Sequence, residues 1–240
     1  MKTDYEIRQE TEKDYPQVFK LVEEAFRDME ESDHREQFLV ERLRHSPAFV
    51  PELSLVADGD GGVVGYGLMT RVSIRSGSLD AESLALAPVA VRPDRQSMGI
   101  GSALIRELHA GAARLGYKSA VVLGHEGFYP RFGYRKASDY GITFPFEAPS
   151  ECCMAVELVA GGLRDIRGRG MLSGSFYGMT GSVRVGIDIR TKEHNFLTCA
   201  AFCPFVLLSY PIIRFVILSE CQIRPRENRV YGGRTSLRRF

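Results

Sequence analysis

Residues 84–117, LALAPVAVRPDRQSMGIGSALIRELHAGAARLGY, decide the fold. They read as an apolar strand, a tight glycine loop and an amphipathic helix. Leu104, Ile105, Leu108, Ala112 and Leu115 recur on one stripe, the period of a helix buried along one side. Gly116 then stops the helix. The loop is Gln96-Ser97-Met98-Gly99-Ile100-Gly101. Glycine lets backbone approach a ligand closely, and the first turn of a helix offers N–H groups and the positive end of its dipole. A phosphate or pyrophosphate suits such a place, although Gly-x-Gly also serves as a plain strand-to-helix turn. Two other phosphate motifs do not fit. A P-loop needs Lys after the last glycine, and a dinucleotide fingerprint needs a third glycine where Leu104 stands.

A second run lies downstream: Gly127-Phe128-Tyr129-Pro130-Arg131-Phe132-Gly133-Tyr134. With Gln96 to Gly101 as [RQ]-x-x-G-x-[GA] and Tyr129 to Tyr134 as Tyr-x-x-x-Gly-[Phe/Tyr], the order and separation resemble the GNAT superfamily of acyl-CoA-dependent N-acetyltransferases. The Tyr-Pro-Arg-Phe-Gly-Tyr variant resembles a bacterial branch of small acetyltransferases. The resemblance covers about residues 4–160. It implies an α/β fold: a mixed, mostly antiparallel sheet with splayed central strands, flanked by helices. It implies acetyl-CoA as co-substrate, no metal, and an amine acceptor. The pantetheine arm is expected between the fourth and fifth strands, against the backbone of Val89, Ala90 and Val91. The pyrophosphate is expected on Gln96, Ser97, Met98, Gly99, Ile100, Gly101 and Ser102. Tyr129 matches the family tyrosine that protonates the departing thiolate; the alternative is a core tyrosine lining the tunnel. Arg95, just before the loop, is either a phosphate ligand or a solvated surface residue.

The rest of this part alternates strands and helices, as an α/β sandwich requires. Tyr5 to Arg8 reads as a strand. Asp14 is a candidate N-cap, with Pro16 in the first turn of a helix running to Phe26. A second helix covers about Glu36 to Arg44, with Phe38, Leu39, Val40 and Leu43 apolar. Leu53 to Ala57 and Val63 to Ile74 are strands around a hairpin turn at Asp58 to Gly62. Pro88 cannot donate to a ladder, so the strand Leu84 to Val91 is expected to bulge or to run unpaired there. Ser119 to Leu123 is a buried strand, Gly127 to Phe132 a short helix and Met154 to Leu158 a last strand. Lys136 to Cys153, with Pro145 and Pro149, is expected as a loop over the mouth of the site.

Composition is that of a soluble domain: 240 residues, 44% hydrophobic, 25% charged. No basic segment followed by an apolar run opens the chain, so no secretory signal is read. Five cysteines with no Cys-x-x-Cys suggest free thiols in a reducing cytoplasm and no structural zinc. The net charge of +1 hides an asymmetry. Residues 1–160 hold 18 Lys and Arg against 25 Asp and Glu, whereas residues 161–240 hold 13 against 5. Such a break separates a GNAT-like domain, residues 1–165, from a basic, irregular and partly apolar extension, residues 166–240.

Acetyl transfer to an amine needs the nitrogen deprotonated, since an alkylammonium has a pKa of about 10. It needs the carbonyl polarised and the thiolate protonated. Glu82, just before the central strand, is the leading carboxylate for the base. Glu23 and Glu24 on the first helix, His125 at the end of the fifth strand, and a water chain remain alternatives. The acceptor is expected to be a small-molecule or protein amine. A catalytically degenerate CoA-binding module is the competing function. Nucleic-acid binding is not expected, because the basic tail lacks interleaved aromatics on a folded platform. A homodimer stays open.

Residues 196–213, FLTCAAFCPFVLLSYPII, carry no charge and reach the lower length limit of a membrane helix. Pro204 and Pro211 weigh against one. Membrane contact of residues 196–218 is open but not favoured over an add-on of no selected function; packing onto the domain or a second subunit is the third reading.

Overall fold

The computed structural model describes residues 4–29, 32–76, 79–146, 148–164, 166 and 170–174. Expectations for residues 196–218 and for Cys199, Cys203 and Cys221 lie outside them. In chain order the elements are β1 (Tyr5–Gln9), α1 (Tyr15–Phe26), α2 (Glu36–Arg44), β2 (Phe49–Gly59), β3 (Gly62–Ser76), β4 (Leu79–Val91), α3 (Ile100–Arg114), β5 (Ser119–Leu123), β6 (Arg135–Lys136), β7 (Ile142–Thr143), β8 (Cys153–Glu157) and β9 (Gly170–Gly174). The sheet runs β1-β2-β3-β4-β5-β8-β6, with β9 on β3 and β7 on β9. The central β4–β5 pair and the short β7–β9 pair are parallel; the others are antiparallel. β9 lies past the boundary expected at residue 165, yet it pairs with the second half of β3 from Val72 to Arg75.

Two helical layers sandwich the sheet. On one face Val18, Leu21, Val22 and Phe26 of α1 and Leu39, Val40 and Leu43 of α2 pack on Tyr66, Leu68 and Ala90. On the other, Leu104, Ile105 and Leu108 of α3 pack on Leu84, Leu86, Val89 and Val91. The alternation of Val89 and Val91 against Ala90 is the period of two of a strand buried on both sides. Gly65 and Gly67 bring α3 close: a Cβ on Gly65 would lie 2.7 Å from Ile100 Cγ2, and one on Gly67 would lie 2.9 Å from Leu108 Cδ1. The start of α3, and with it the glycine loop, is thereby seated on β3.

Several elements differ from the sequence reading. Asp14 does stand at the N-cap of α1 but makes no cap bond; its carboxylate accepts from Arg8 and from Thr11 N–H instead. That pairing holds Asp14 well below the usual carboxylate range, the Arg8 bond being the main cause. β2 and β4 are longer than expected, because each finds an antiparallel partner along most of β3. Phe38 and Leu115, expected on buried stripes, are exposed; Phe38 packs edge-on to Phe19. Lys136 to Cys153 is not simply a loop. It contains β7 and a 3₁₀ turn, Ala137–Tyr140, and buries Ala137 and Ile142 against Val72, Ala85 and Val121.

A buried ion pair anchors the end of α2. The Arg44 and Glu10 side chains are 4% and 1% exposed. Ser54 Oγ donates to Glu10 Oε2 at 2.6 Å, and the Arg44 guanidinium lies 3.9 Å from the centre of the Tyr15 ring. Both charges keep polar partners, as burial demands.

Candidate active site

β4 and β5 pair over two positions only, Leu84 with Ala120 and Ala85 with Val121. Just before that vertex Ser83 Oγ donates to Ser119 O at 3.0 Å and lies 2.8 Å from Ser119 Oγ. Both serines are fully buried, so this bond pins the closed end. Beyond it the strands part. On β3 the register steps from Gly67 to Met69 while β4 steps from Val89 to Leu86, one residue extra, which is the bulge expected at Pro88. The Ala87–Pro88 peptide is cis. Past the bulge, Val89 to Val91 pair with β3 on one side, while β5 is fully paired to β8 on its far side. The two inner edges face each other across a wedge.

The loop stands at the open end of that wedge. Gln96 Nε2 donates to Val91 O at 3.2 Å, tying the loop to the end of β4. Ser97 and Gly99 have φ of +61° and +85°. Gly99 is the N-cap of α3, no side chain caps the helix, and its first turn holds no acidic residue. The α3 ladder starts with Ala103 N–H donating to Gly99 O at 3.0 Å, so the N–H groups of Ile100, Gly101 and Ser102 precede it. This is the geometry of an anion site. A Cβ on Gly99 would meet nothing within 4 Å, so the loop opens outward there. Arg95 donates to Asp4 Oδ2 at 2.5 Å, and Arg92 to Asp94.

Across the wedge, Gly124 follows the end of β5, and the Tyr129 ring lies directly on it. A Cβ there would sit 2.3 Å from Tyr129 Cε2. The local sequence explains the placement. His125 O accepts the N–H groups of Phe128 and Tyr129 at 3.0 and 3.5 Å. Pro130 sits in the 3₁₀ turn Tyr129–Phe132, and Gly133 ends it at φ +91°. Tyr129 is fully buried, edge-on to Phe128 and Tyr134 at 5.1 and 5.5 Å. Behind it Tyr134 OH lies 3.1 Å from His109 Nε2. Burial raises the Tyr134 phenol and lowers His109 to about 4.

The candidate bases scatter. Glu82 does not precede the central strand: it lies within β4, opposite Ser73, because β4 begins five residues earlier than expected. It is exposed, shares the parity of Leu84 and Leu86 on the α3 face, and its charge raises Tyr117 after burial does. Glu23 is exposed and Glu24 half-buried on α1, with Lys20 3.7 Å from Glu24. His125 Nδ1 accepts the Gly127 N–H at 3.0 Å, which occupies the lone pair of the neutral ring. The structure therefore brings Val89 to Val91, Gln96 to Ser102 and Tyr129 around one wedge, and leaves Glu82 on the α3 face at the paired half of β4. Glu36, which nothing in the sequence reading marks, is a buried carboxylate at the start of α2. Among the described residues no cluster of His, Cys, Asp and Glu is arranged to hold a metal, and no helix is long and apolar enough to cross a membrane.

The chain is similar to known proteins over the residues that build this wedge. Residues 6–137 match the acetyltransferase (GNAT) domain family. The uncharacterised N-acetyltransferase YjhQ of Escherichia coli K12 is 37% identical over 131 residues, 52% of this chain and 72% of that protein. The uncharacterised N-acetyltransferase YhbS of the same strain is 31% identical over 137 residues, 57% and 77% of the two chains. Among solved structures, the E. coli GNAT family N-acetyltransferase YhbS in complex with CoA superposes with a TM-score of 0.64 at 25% identity, covering 74% of this chain and 94% of that one. A GNAT family acetyltransferase from Brucella melitensis in complex with acetyl-CoA gives 0.51 at 38% identity, covering 55% and 82%.

Proposed function

The chain belongs to the GNAT acetyltransferase family, and on that premise we propose that it transfers an acetyl group from acetyl-CoA to a primary amine, of a small molecule or a protein, by direct attack in a ternary complex. The observation that carries the reading is the wedge itself: β4 and β5 part after Ala85 and Val121, with a helix N-terminus that has no side-chain cap at its mouth and a buried tyrosine on its far wall. Relatives of this fold were solved with CoA and with acetyl-CoA, which supports the same co-substrate here.

Acetyl-CoA brings the activated acyl group, so the protein's task is mainly to orient two ligands and stabilise charge. The backbone of Val89, Ala90 and Val91 lines the wedge, holds the pantetheine amides and polarises the thioester carbonyl. Gln96, Ser97, Met98, Gly99, Ile100, Gly101 and Ser102 hold the pyrophosphate with N–H groups and the α3 dipole. Tyr129 donates its phenolic proton to the sulphur as the C–S bond breaks. Glu82 stands on the α3 face at the paired half of β4 and is not assigned the base.

The experiment is a thiol-release assay with acetyl-CoA and a panel of primary amines, on wild type and Tyr129→Phe. Amine-dependent release that falls at least tenfold in the variant, with acetyl-CoA affinity retained, supports the mechanism. Acetyl-CoA binding with no turnover of any amine would favour a CoA-binding interaction module.

A further inference from the structure

Contacts along the two helices fix where the end of α1 and the start of α2 lie. Near the start of α1, Gln17 Oε1 accepts Val63 N–H at 3.1 Å, at the beginning of β3. Further along, Leu21, Val22 and Phe26 share one buried cluster with Tyr66 and Leu68 of β3 and Ala90 of β4. The helix thus lies across β3 and β4. α2 starts beside that last turn, where His34 Nδ1 lies 3.0 Å from Phe26 O, and returns to Arg44, bonded to Glu10 and close to Tyr66. The end of α1 and the start of α2 therefore lie on the sheet face opposite α3, with Leu39 and Val40 in the cluster that holds Leu68 and Ala90 beside the bulge.

The first turn of α2 carries a buried charge. Glu36 and Gln37 are 3% and 5% exposed. Glu36 stands one helical turn before Val40, on the face that packs inward. Ser32 Oγ donates to Glu36 Oε1 at 2.6 Å, and Gln37 Nε2 donates to His34 O at 3.1 Å, so both side chains are fixed. Among the described residues Glu36 Oε2 and Gln37 Oε1 have no hydrogen-bond partner. Buried polar atoms are almost always paired. Here both are acceptors, one of them on a carboxylate. A ligand group that consists only of donors and carries positive charge complements them, and an ammonium is such a group.

We propose that Glu36 and Gln37 form the acceptor subsite, taking a cationic alkylamine whose N–H groups donate to Glu36 Oε2 and Gln37 Oε1, and that Glu36 is the base. This rests on the acetyl-transfer reading. One ammonium proton passes to Glu36 Oε2 and frees the nitrogen lone pair. The N–C bond forms at the thioester carbonyl and the C–S bond breaks. The second proton lost by nitrogen balances the one gained by sulphur, and Glu36 releases its own to water. Burial raises the Glu36 carboxyl, with Asp33 adding and the Ser32 bond and His34 opposing; a raised carboxyl is closer to the amine in proton affinity.

The test uses the full chain, acetyl-CoA and an alkylamine panel of n-butylamine, 1,4-diaminobutane and an amino sugar. Glu36→Gln should lower kcat/KM for the amine at least 100-fold at neutral pH. It should leave acetyl-CoA affinity unchanged, and recover most of the loss as the pH approaches about 10, where the amine sheds its proton unaided. Gln37→Leu should raise KM for the amine and spare kcat. An unchanged kcat/KM in Glu36→Gln, or the same defect at every pH, overturns the base. A parallel loss of acetyl-CoA binding makes Glu36 structural and overturns it too. Wild type that binds acetyl-CoA but acetylates no alkylamine overturns the acceptor class; wild type that binds no acetyl-CoA overturns the acetyl-transfer reading beneath it.

Discussion

Replacing Gly124 by alanine tests the seat of Tyr129 with one methyl group. The new Cβ would lie 2.3 Å from Tyr129 Cε2, 2.8 Å from Cδ2 and 3.2 Å from Cζ. Non-bonded carbons rest about 3.5–4.0 Å apart, so the ring or the strand must move by more than about 1 Å. The ring is fully buried and held edge-on by Phe128 and Tyr134, which leaves it no free volume. Overpacking of this kind costs about 1–3 kcal/mol, and each kcal/mol lowers Tm by about 2–4 °C in a domain of this size. A reacting group misplaced by about 1 Å loses up to ~100-fold in rate. Thermal unfolding and thiol release should therefore both fall in Gly124→Ala, while acetyl-CoA affinity, set by the loop on another element, changes little. Gly61→Ala is the control. Its φ of +93° costs about 1–2 kcal/mol on adding a side chain, and its Cβ would meet nothing within 4 Å, so it should lower Tm and leave kcat alone. Wild-type Tm and kcat in Gly124→Ala would refute the placement of Tyr129.

Tyr129→Phe should lower kcat about 10–100-fold with acetyl-CoA affinity unchanged, in keeping with loss of one acid catalyst; an unchanged rate across the pH profile removes it from the mechanism. His109, lowered to about 4 by burial against about 6.5 in the unfolded chain, binds its proton more readily when unfolded. Stability should therefore drop as pH falls from about 6.5 to 4, by at most roughly 3 kcal/mol. Denaturant titrations of His109→Gln should show a shallower loss over that window, and equal slopes would contradict the buried neutral imidazole. Arg44→Leu leaves Glu10 buried without its counter-charge and should cost about 3–5 kcal/mol, measured by the same titrations; a loss under about 1 kcal/mol would mean that Glu10 finds another partner.

The bulge and the loop were legible because both depend on local chemistry, whereas the wedge was expected only from the family resemblance. Pro88 must break a ladder wherever it stands, and Gly99 marks a left-handed turn ahead of an amphipathic helix. Tyr129 came with its motif, but its seat on Gly124 did not, since that contact joins two segments across a turn. The sequence shows too short a β4 because residues 80–83 are polar or small. They are strand residues only through pairing with β3, and this moved Glu82 from ahead of the strand into it. Asp14 was read as a helix cap from its position, yet Arg8 on the adjacent strand competes for the same carboxylate. Glu36 was passed over because an acidic residue in a first helical turn usually faces water and complements the dipole. The available signal was its spacing: three and four residues before Leu39 and Val40, it falls on the apolar side of α2.

The central claim is that the glycine loop and the wedge hold acetyl-CoA. Calorimetric titration of acetyl-CoA into the full chain, alongside Gly99→Glu, tests it most directly. The account predicts one site of micromolar affinity in the wild type and none in the variant, where a carboxylate projects into the place of the pyrophosphate. No binding to folded wild type, or equal affinity in Gly99→Glu, would contradict it.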